Sequence, residues 1–310
     1  YIQYNPNKET EPNRLEERFT GWHRANFDAL LNFDRQFGEH GLKAMAGWHT
    51  EKYDYTYNQQ FRKNFPTNDL TDIAAGDAAT QKNNGYTREL AMISWFGRIN
   101  YDYAGKYLLE GNIRSDASSR FGKDNRWGAF WSVGLMWNLK KEKFLNECKW
   151  LTTTRLALST GTSGNSDIGY YAWQSLVKGG MDYMGETGIY PAQSGNPDLS
   201  WEKTWTTNLA LHLGFWNRIN LDVELYNKKT TDMLMDVPQS YAVNGSGSRW
   251  DNIGAMVNRG VEVMVNGDVI RTKDFSWNLS ANFSYNKNKI TELYNGVDEY
   301  EIASTNLKYV

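Results

Sequence analysis

From Thr207 to Asn227 the chain alternates apolar and polar positions in two runs. Leu209, Leu211, Leu213 and Phe215 interleave with Asn208, Ala210, His212 and Gly214. Beyond Trp216-Asn217-Arg218 the pattern resumes, with Ile219, Leu221, Val223 and Leu225 between Asn220, Asp222, Glu224 and Tyr226. A period of two belongs to a β-strand with one apolar and one polar face. Two such runs joined by a tight link predict an antiparallel hairpin. What lies against the apolar face, a protein core or lipid, then decides the class of protein.

The same alternation recurs along the chain. Phe27, Ala29, Leu31 and Phe33 precede the turn Gly38-Glu39-His40-Gly41, and Leu42, Ala44, Ala46 and Trp48 follow it. Ile93, Trp95, Gly97, Ile99 and Tyr101 reverse at Ala104-Gly105-Lys106 into Tyr107, Leu109, Gly111 and Ile113. Trp131 to Leu139, Leu156 with Leu158, Val261 to Val265 and Phe275 to Tyr285 add further strands, about ten in all. Tyr53–Glu89, Gly161–Ser200 and Thr230–Gly254 show no period and are expected to be long loops. Connections thus alternate between short and long. An outer-membrane barrel has short periplasmic turns and long extracellular loops, whereas a soluble sandwich has no reason to sort them. Polar residues opposite the apolar stripe suit a wet lumen, although alternation alone also fits a sandwich with one solvated face per sheet.

Composition narrows the choice. Hydrophobic residues are 40% and aromatic residues 15% of the chain. No run approaches the roughly 18 apolar residues of a spanning helix. Aromatic excess with few aliphatics suits a membrane barrel with aromatic girdles or a carbohydrate-binding β-protein. A net charge of -2 argues against a nucleic-acid partner. The single cysteine, Cys148, excludes an internal disulfide framework and reads as a bystander. His23, His40, His49 and His212 lack metal-ligand spacing, and no phosphate loop, dinucleotide fingerprint or nucleophile elbow occurs. No metal, cofactor or catalytic residue is therefore expected. The chain opens on Y-I-Q-Y and stops on L-K-Y-V in mid-pattern, which reads as a piece of a longer protein.

Ordered motifs carry a resemblance. W-F-G-R-I-N-Y-D-Y-A-G-K-Y-L-L-E (95–110), R-S-D-A-S-S-R-F-G (114–122), G-T-S-G-N (161–165), G-N-P-D-L-S-W-E (195–202), Y-N-K-K-T-T-D-M-L (226–234), N-I-G-A-M-V-N-R-G-V-E (252–262) and Y-N-K-N-K-I (285–290) follow one another. Together they resemble the C-terminal barrel portion of SusC/RagA-type TonB-dependent outer-membrane transporters of Bacteroidetes. The resemblance implies an all-β transmembrane antiparallel barrel, of which residues 1–310 form part of one barrel domain. The signal peptide, TonB-contacting segment, plug and remaining strands would lie outside this chain, in a barrel of about 22 strands. It implies import of oligosaccharides or peptides, a SusD-like surface lipoprotein as partner, energy from TonB through the plug, and contact with outer-membrane lipid. Ala117 departs from the glycine usual in the R-x-D-G-S-S-R-F-G block, and Trp131 from the usual proline. A positive φ at residue 117 would make the alanine costly.

The residues singled out lie in loops. Tyr170, Tyr171, Trp173, Tyr183 and Tyr190 are candidates for contact with substrate or lipoprotein, because aromatic faces stack on sugar C–H surfaces; the alternative is that they pack the loop itself. Arg114, Asp116, Ser118, Ser119, Arg120, Phe121, Gly122, Gly195, Asn196, Pro197, Trp201 and Glu202 carry the family motifs and are expected to be structural. Arg114, Arg120 and Arg126 lie close in sequence to Asp116 and Asp124, which suggests a salt-bridged structural turn in preference to a lumen or loop charge site for substrate. Two other readings stay open. An outer-membrane barrel protease would need His and Asp pairs at the extracellular rim, and a soluble glycan-binding β-protein would need its apolar face covered.

Overall fold

The computed structural model describes residues 13–293, 300–302 and 307–309. Strands β1 (Arg14–Phe37), β2 (His40–Lys63), β3 (Lys82–Tyr103), β4 (Tyr107–Ser118), β5 (Trp127–Asn138) and β6 (Leu151–Asn165) come first. Then follow β7 (Leu176–Tyr183), β8 (Glu186–Gln193), β9 (Glu202–Phe215), β10 (Ile219–Thr231), β11 (Leu234–Pro238), β12 (Ser248–Asn252), β13 (Ala255–Arg271) and β14 (Ser276–Glu292). Ten of these form one antiparallel sheet in the order β1-β2-β3-β4-β5-β6-β9-β10-β13-β14. The pairs β7–β8 and β11–β12 are separate two-stranded ribbons inserted between sheet strands. Sequence neighbours pair throughout, as in a meander, so the topology needs no crossover.

The chain divides into two compact units, residues 28–49 with 93–310 and residues 13–27 with 50–92. In the first, the hairpin read from the sequence is β9–β10, with Leu209 opposite Leu225, Leu211 opposite Val223 and Leu213 opposite Leu221. Its link is the three residues expected, Trp216-Asn217-Arg218, between the paired Phe215 and Ile219. Within it Trp216 and Asn217 both have positive φ (52° and 54°), and the Arg218 amide donates to the Phe215 carbonyl at 2.9 Å, which closes the turn tightly.

Among the described residues, nothing packs on the apolar face of this unit. Ile113 is 66%, Leu135 53% and Phe283 61% exposed. Water would make such a face an aggregation surface, and lipid does not. Aromatic rows bound it. At one end Trp48 meets Trp95 at 5.9 Å and Trp131 meets Trp205 edge-on at 5.5 Å. At the other, Tyr103, Tyr107 and Trp137 stack at 6.4 and 6.2 Å, and Trp150 lies parallel to Phe215 at 6.0 Å. Along β9, Trp205 and Phe215 are ten residues apart, about 33 Å of strand, or roughly 25 Å of height at the usual tilt, the thickness of a barrel's apolar band. Hydroxyls on that face satisfy one another: Thr160 and Thr207 bond at 3.0 Å, and the Trp205 indole donates to Thr160 at 2.9 Å.

The short-turn end is tied by a carboxylate. Glu142 accepts from the Tyr107 hydroxyl (2.7 Å) and the Trp137 indole (3.2 Å) and sits 3.5 Å from the Lys106 ammonium. The Tyr107 hydrogen bond above all, and then Trp137, hold its pKa below the ordinary carboxylate value. A depressed folded-state pKa contributes stability above the unfolded value and loses it as pH falls through the folded value. Unfolding of the reconstituted full-length receptor is therefore expected to become easier on acidification below the usual carboxylate range of about 4.3. Glu142→Gln, which keeps the shape without the charge, should remove that part of the pH dependence.

The unit of 13–27 with 50–92 differs in character. One face of β2 carries Thr50, Lys52, Asp54, Thr56, Asn58 and Gln60, and the other Glu51, Tyr53, Tyr55, Tyr57 and Gln59. Neither face is apolar, so this stretch belongs in water. Tyr86 stacks on Tyr55 and Tyr57 at 5.9 and 5.2 Å. Arg62 closes the 64–81 connection by donating to the carbonyls of Ala74 (3.0 Å) and Gly76 (3.2 Å) and to the Gln81 amide oxygen (2.8 Å). The expected loop Tyr53–Glu89 is thus corrected: β2 continues to Lys63 and β3 starts at Lys82. The loops expected at Gly161–Ser200 and Thr230–Gly254 likewise contain β7–β8 and β11–β12. The sorting of connections is also less regular than the sequence suggested, since 119–126 on the long side is shorter than 139–150 on the short side.

Candidate functional site

The wall has no core; the long-connection end of the larger unit has one. Phe121 and Leu199 are fully buried, and Trp201, Ile168, Ala172, Phe130 and Val237 nearly so. The Trp201 ring meets Phe121 at 5.3 Å and Phe130 at 5.4 Å, and its indole donates to the Arg126 carbonyl at 2.8 Å. These contacts join the turn after β4, the start of β9 and the inner face of β5.

The turn after β4 is built from its own short-range bonds. The Ser118 hydroxyl accepts from the Arg120 amide (3.3 Å), the Phe121 amide donates to the Ser118 carbonyl (3.3 Å), and Phe121 points inward. Gly122 is required by a close approach, because a Cβ there would stand 2.7 Å from the Pro197 carbonyl oxygen. Asn125 donates to that same carbonyl at 3.1 Å. Gly122→Ala is therefore expected to push the two loops apart at a cost of about 1–3 kcal/mol. Faster limited proteolysis at 118–126 and 195–202 in the full-length receptor would report it; an unchanged digestion pattern would refute the contact.

Of the charged groups that the sequence puts together, Arg114 and Asp116 do pair, whereas Arg120 and Arg126 find partners other than Asp124. Arg114 grips buried Asp116 through both carboxylate oxygens (2.7 and 2.8 Å), donates to the Ser94 hydroxyl (3.0 Å) and lies over the Phe96 ring. Arg120 reaches Asp167, at 2.9 Å, and the Ser166 carbonyl, at 2.8 Å, in the following loop. Arg126 donates to the Phe121 carbonyl, and Asp124 is exposed. Ala117 lies in β4 opposite Trp127 and is not among the positive-φ residues, so the cost anticipated there does not arise. Trp131, where the family usually has proline, belongs to the aromatic row with Trp205.

Residues 195–202 lock onto the strands of the next loop. A Cβ on Gly195 would come within 2.4 Å of the Ser175 amide nitrogen. Buried Asn196 donates to the Trp250 carbonyl (3.1 Å) and Asp251 (3.0 Å). Asn252 returns the contact, accepting from the Ser200 amide (2.6 Å) and donating to the carbonyls of Ser200 and Asp232. Glu202 accepts from the Leu234 amide and the Asn165 side chain at 3.2 and 3.3 Å. The loops 118–126, 165–175, 195–202 and 232–252 are thus one hydrogen-bonded body with an aromatic centre.

Of the aromatic candidates, Trp173 donates to the Ser119 carbonyl (3.3 Å), and Tyr170 lies under the Arg120 guanidinium at 5.6 Å. Tyr171 stands 6.4 Å from Tyr170, and Gln193 clamps the Tyr171 and Gln174 carbonyls at 2.8 Å. Tyr190 is half-buried on β8. Tyr183 closes β7, and its side chain lies outside the described residues. The arrangement brings Tyr170, Tyr171 and Trp173 to one loop beside the turn after β4.

The polar face of the wall holds two histidine–aspartate pairs that sequence reading did not anticipate. His49 of β2 meets Asp28 of β1 at 2.7 Å, and His212 meets Asp222, directly opposite it across the β9–β10 pair, at 2.5 Å. Cross-strand register, visible only once both partner strands are placed, is the signal that finds them. His40, expected within a turn, opens β2 and bonds the Tyr101 hydroxyl at 2.7 Å. Among the described residues no group of His, Cys, Asp and Glu could hold a metal ion.

Comparison with known proteins gives one family. Residues 2–307 match the model of the TonB dependent receptor-like, beta-barrel family. The TonB-dependent receptor SusC of Bacteroides thetaiotaomicron is 34% identical over 282 residues, which is 88% of this chain and 26% of SusC. TonB-dependent receptor P39 of Formosa agariphila is 32% identical over 283 residues, 89% of this chain and 27% of that receptor. The structure of the RagAB peptide transporter superposes with a TM-score of 0.91 at 34% identity, covering 97% of this chain and 34% of that one. The chain therefore spans about a quarter of the length of its curated relatives and a third of the solved chain. With the family model spanning nearly all of it, the chain belongs to the TonB-dependent receptor-like β-barrel family of outer-membrane proteins.

Proposed function

We propose that these ten strands are part of the wall of a larger outer-membrane barrel that imports oligosaccharides or peptides, working with a SusD-like surface lipoprotein. Energy comes from TonB through a plug encoded elsewhere in the full protein, and the chain itself performs no catalysis. The observation that carries the reading is the bare apolar face between two aromatic rows, in a chain that matches the barrel family from end to end. Among the described residues, edge strands β1 and β14 each have a single neighbour in the sheet, and lipid does not tolerate an open edge, so further strands complete the barrel. The similarity to a peptide transporter in particular supports an uptake role.

Within that reading the motif residues Arg114, Asp116, Ser118, Ser119, Arg120, Phe121, Gly122, Gly195, Asn196, Pro197, Trp201 and Glu202 are structural. They set the loop body on which Tyr171 and Tyr190 meet substrate or lipoprotein, while Tyr170 and Trp173 hold the loop. A strain lacking the full-length gene, or the neighbouring lipoprotein, or TonB, should lose uptake of labelled oligosaccharides or peptides. Uptake of every class unchanged in the gene deletion would sink the proposal.

A further inference from the structure

We propose that the connection 139–150, with the turn 215–218, is a headgroup anchor that beds in the anionic phospholipid surface of the leaflet on the short-turn side. The inference rests on the barrel reading above and goes beyond it, since a barrel needs only tight turns on that side. Here β1–β2, β3–β4 and β9–β10 do have tight turns, but β5–β6 is joined by a longer segment carrying a short 3₁₀ turn and the one-turn helix Lys143–Asn146.

That segment is held in one shape. The Lys140 ammonium donates to the carbonyls of Leu145 (2.9 Å), Asn146 (3.1 Å) and Cys148 (2.7 Å). Lys141 donates to the Ala104 carbonyl at 3.1 Å, and the Trp216 amide donates to the Trp150 carbonyl at 2.8 Å. A rigid connection nevertheless leaves large apolar groups in the open: Phe144 is 69%, Trp150 51% and Trp216 59% exposed. Trp216 also occupies a backbone conformation that costs a bulky side chain roughly 1–2 kcal/mol, where asparagine or glycine would sit without strain.

Two observations identify the occupant. Two of the exposed rings continue the aromatic row of the lipid-facing wall, because Trp150 stacks on Phe215 at 6.0 Å and Phe215 lies 6.0 Å from Trp216. A membrane–water interface is where Trp rings with one wet and one apolar side reside. Charge is complementary to phosphate: Lys143, Lys149 and Arg218 are exposed, against Glu147, since Glu142 is taken by Tyr107, Trp137 and Lys106. Apolar rings flanked by cations are the composition of an interfacial anchor.

The test uses the purified full-length receptor in vesicles of phosphatidylcholine and phosphatidylglycerol. An environment-sensitive fluorophore is placed by Phe144→Cys in a Cys148→Ser background, with separate Leu135→Cys and Ile189→Cys controls. The label at 144 should be quenched by a headgroup-level nitroxide lipid, that at 135 by a deep nitroxide, and that at 189 by an aqueous quencher alone. Quenching at 144 by the aqueous agent alone, with 135 still deep, overturns the anchor and leaves the barrel intact, including the case in which a periplasmic protein is the true occupant. Water at 135 as well overturns the barrel reading itself. Lys143→Gln, Lys149→Gln and Arg218→Gln should each lower the ratio of phosphatidylglycerol to phosphatidylcholine nitroxide quenching at 144 by up to about fivefold. A ratio unmoved by all three together would overturn the anionic preference.

Discussion

Replacing Trp201 with alanine is expected to release the loop body while leaving the wall intact. The side chain is 4% exposed, wedged between Phe121 and Phe130, and its indole satisfies the Arg126 carbonyl. Removing a buried tryptophan costs about 3–5 kcal/mol, and the orphaned carbonyl adds to that. Because the wall's apolar face is covered by lipid and not by this cluster, the loss should be local. Amide hydrogen-exchange protection over 118–126 and 195–201 should fall by roughly two to four orders of magnitude in the reconstituted full-length receptor. Protection along β9 and β10 should stay unchanged. Tyr190→Ala, at a half-buried position on β8, should shift protection by less than about 0.5 kcal/mol. Equal losses in loops and wall would mean that the loop body and the barrel unfold together, contrary to the division of roles drawn here.

The wall was legible in the sequence because lipid on one side and water on the other impose a strict period. Leu209 to Phe215 and Ile219 to Leu225 alternate without interruption, and their register follows from the three-residue link between them. Where the solvent is the same on both sides, the period vanishes. Tyr53, Tyr55 and Tyr57 alternate with Asp54, Thr56 and Asn58, polar on both faces, so the second half of β2 read as loop although it is as extended as the rest. The ribbons β7–β8 and β11–β12 escaped for a related reason, being short, glycine-interrupted or water-exposed.

The loop body was legible only as motifs. Ser118 to Gly122 and Gly195 to Glu202 stood out, but their mutual contact did not, because Trp201 meets the Arg126 carbonyl from 75 residues away and Asn196 meets Asp251 from 55 away. Local spacing cannot report such pairs. The same limit hid one charge pair: Arg114 meets its neighbour Asp116, but Arg120 has Asp124 nearby in sequence and pairs with Asp167 in space. What sequence did convey was chemistry without partners, namely which residues are glycines at close approaches and which are aromatics fit for a core.

Leu211→Arg and Ala210→Arg, neighbours on β9, should have opposite fates. Leu211 lies on the face shared with Leu156 and Val223, near the midpoint between the Trp205 and Phe215 rings. An arginine at mid-depth on a lipid-facing barrel wall costs about 2–4 kcal/mol. Ala210 points to the other face, beside Ala157 and directly opposite Glu224. There an arginine finds water, room and an opposite charge, and cross-strand pairs of opposite sign contribute about 0.2–1 kcal/mol in favour. Unfolding of the full-length receptor from lipid vesicles should therefore show a lowered denaturant midpoint for Leu211→Arg and a midpoint at or above the parent for Ala210→Arg. Reversal of the two would turn the wall inside out. Equal tolerance would mean that neither face meets lipid, returning the bare Leu/Val stripe to the soluble-sandwich reading and requiring a protein cover for it.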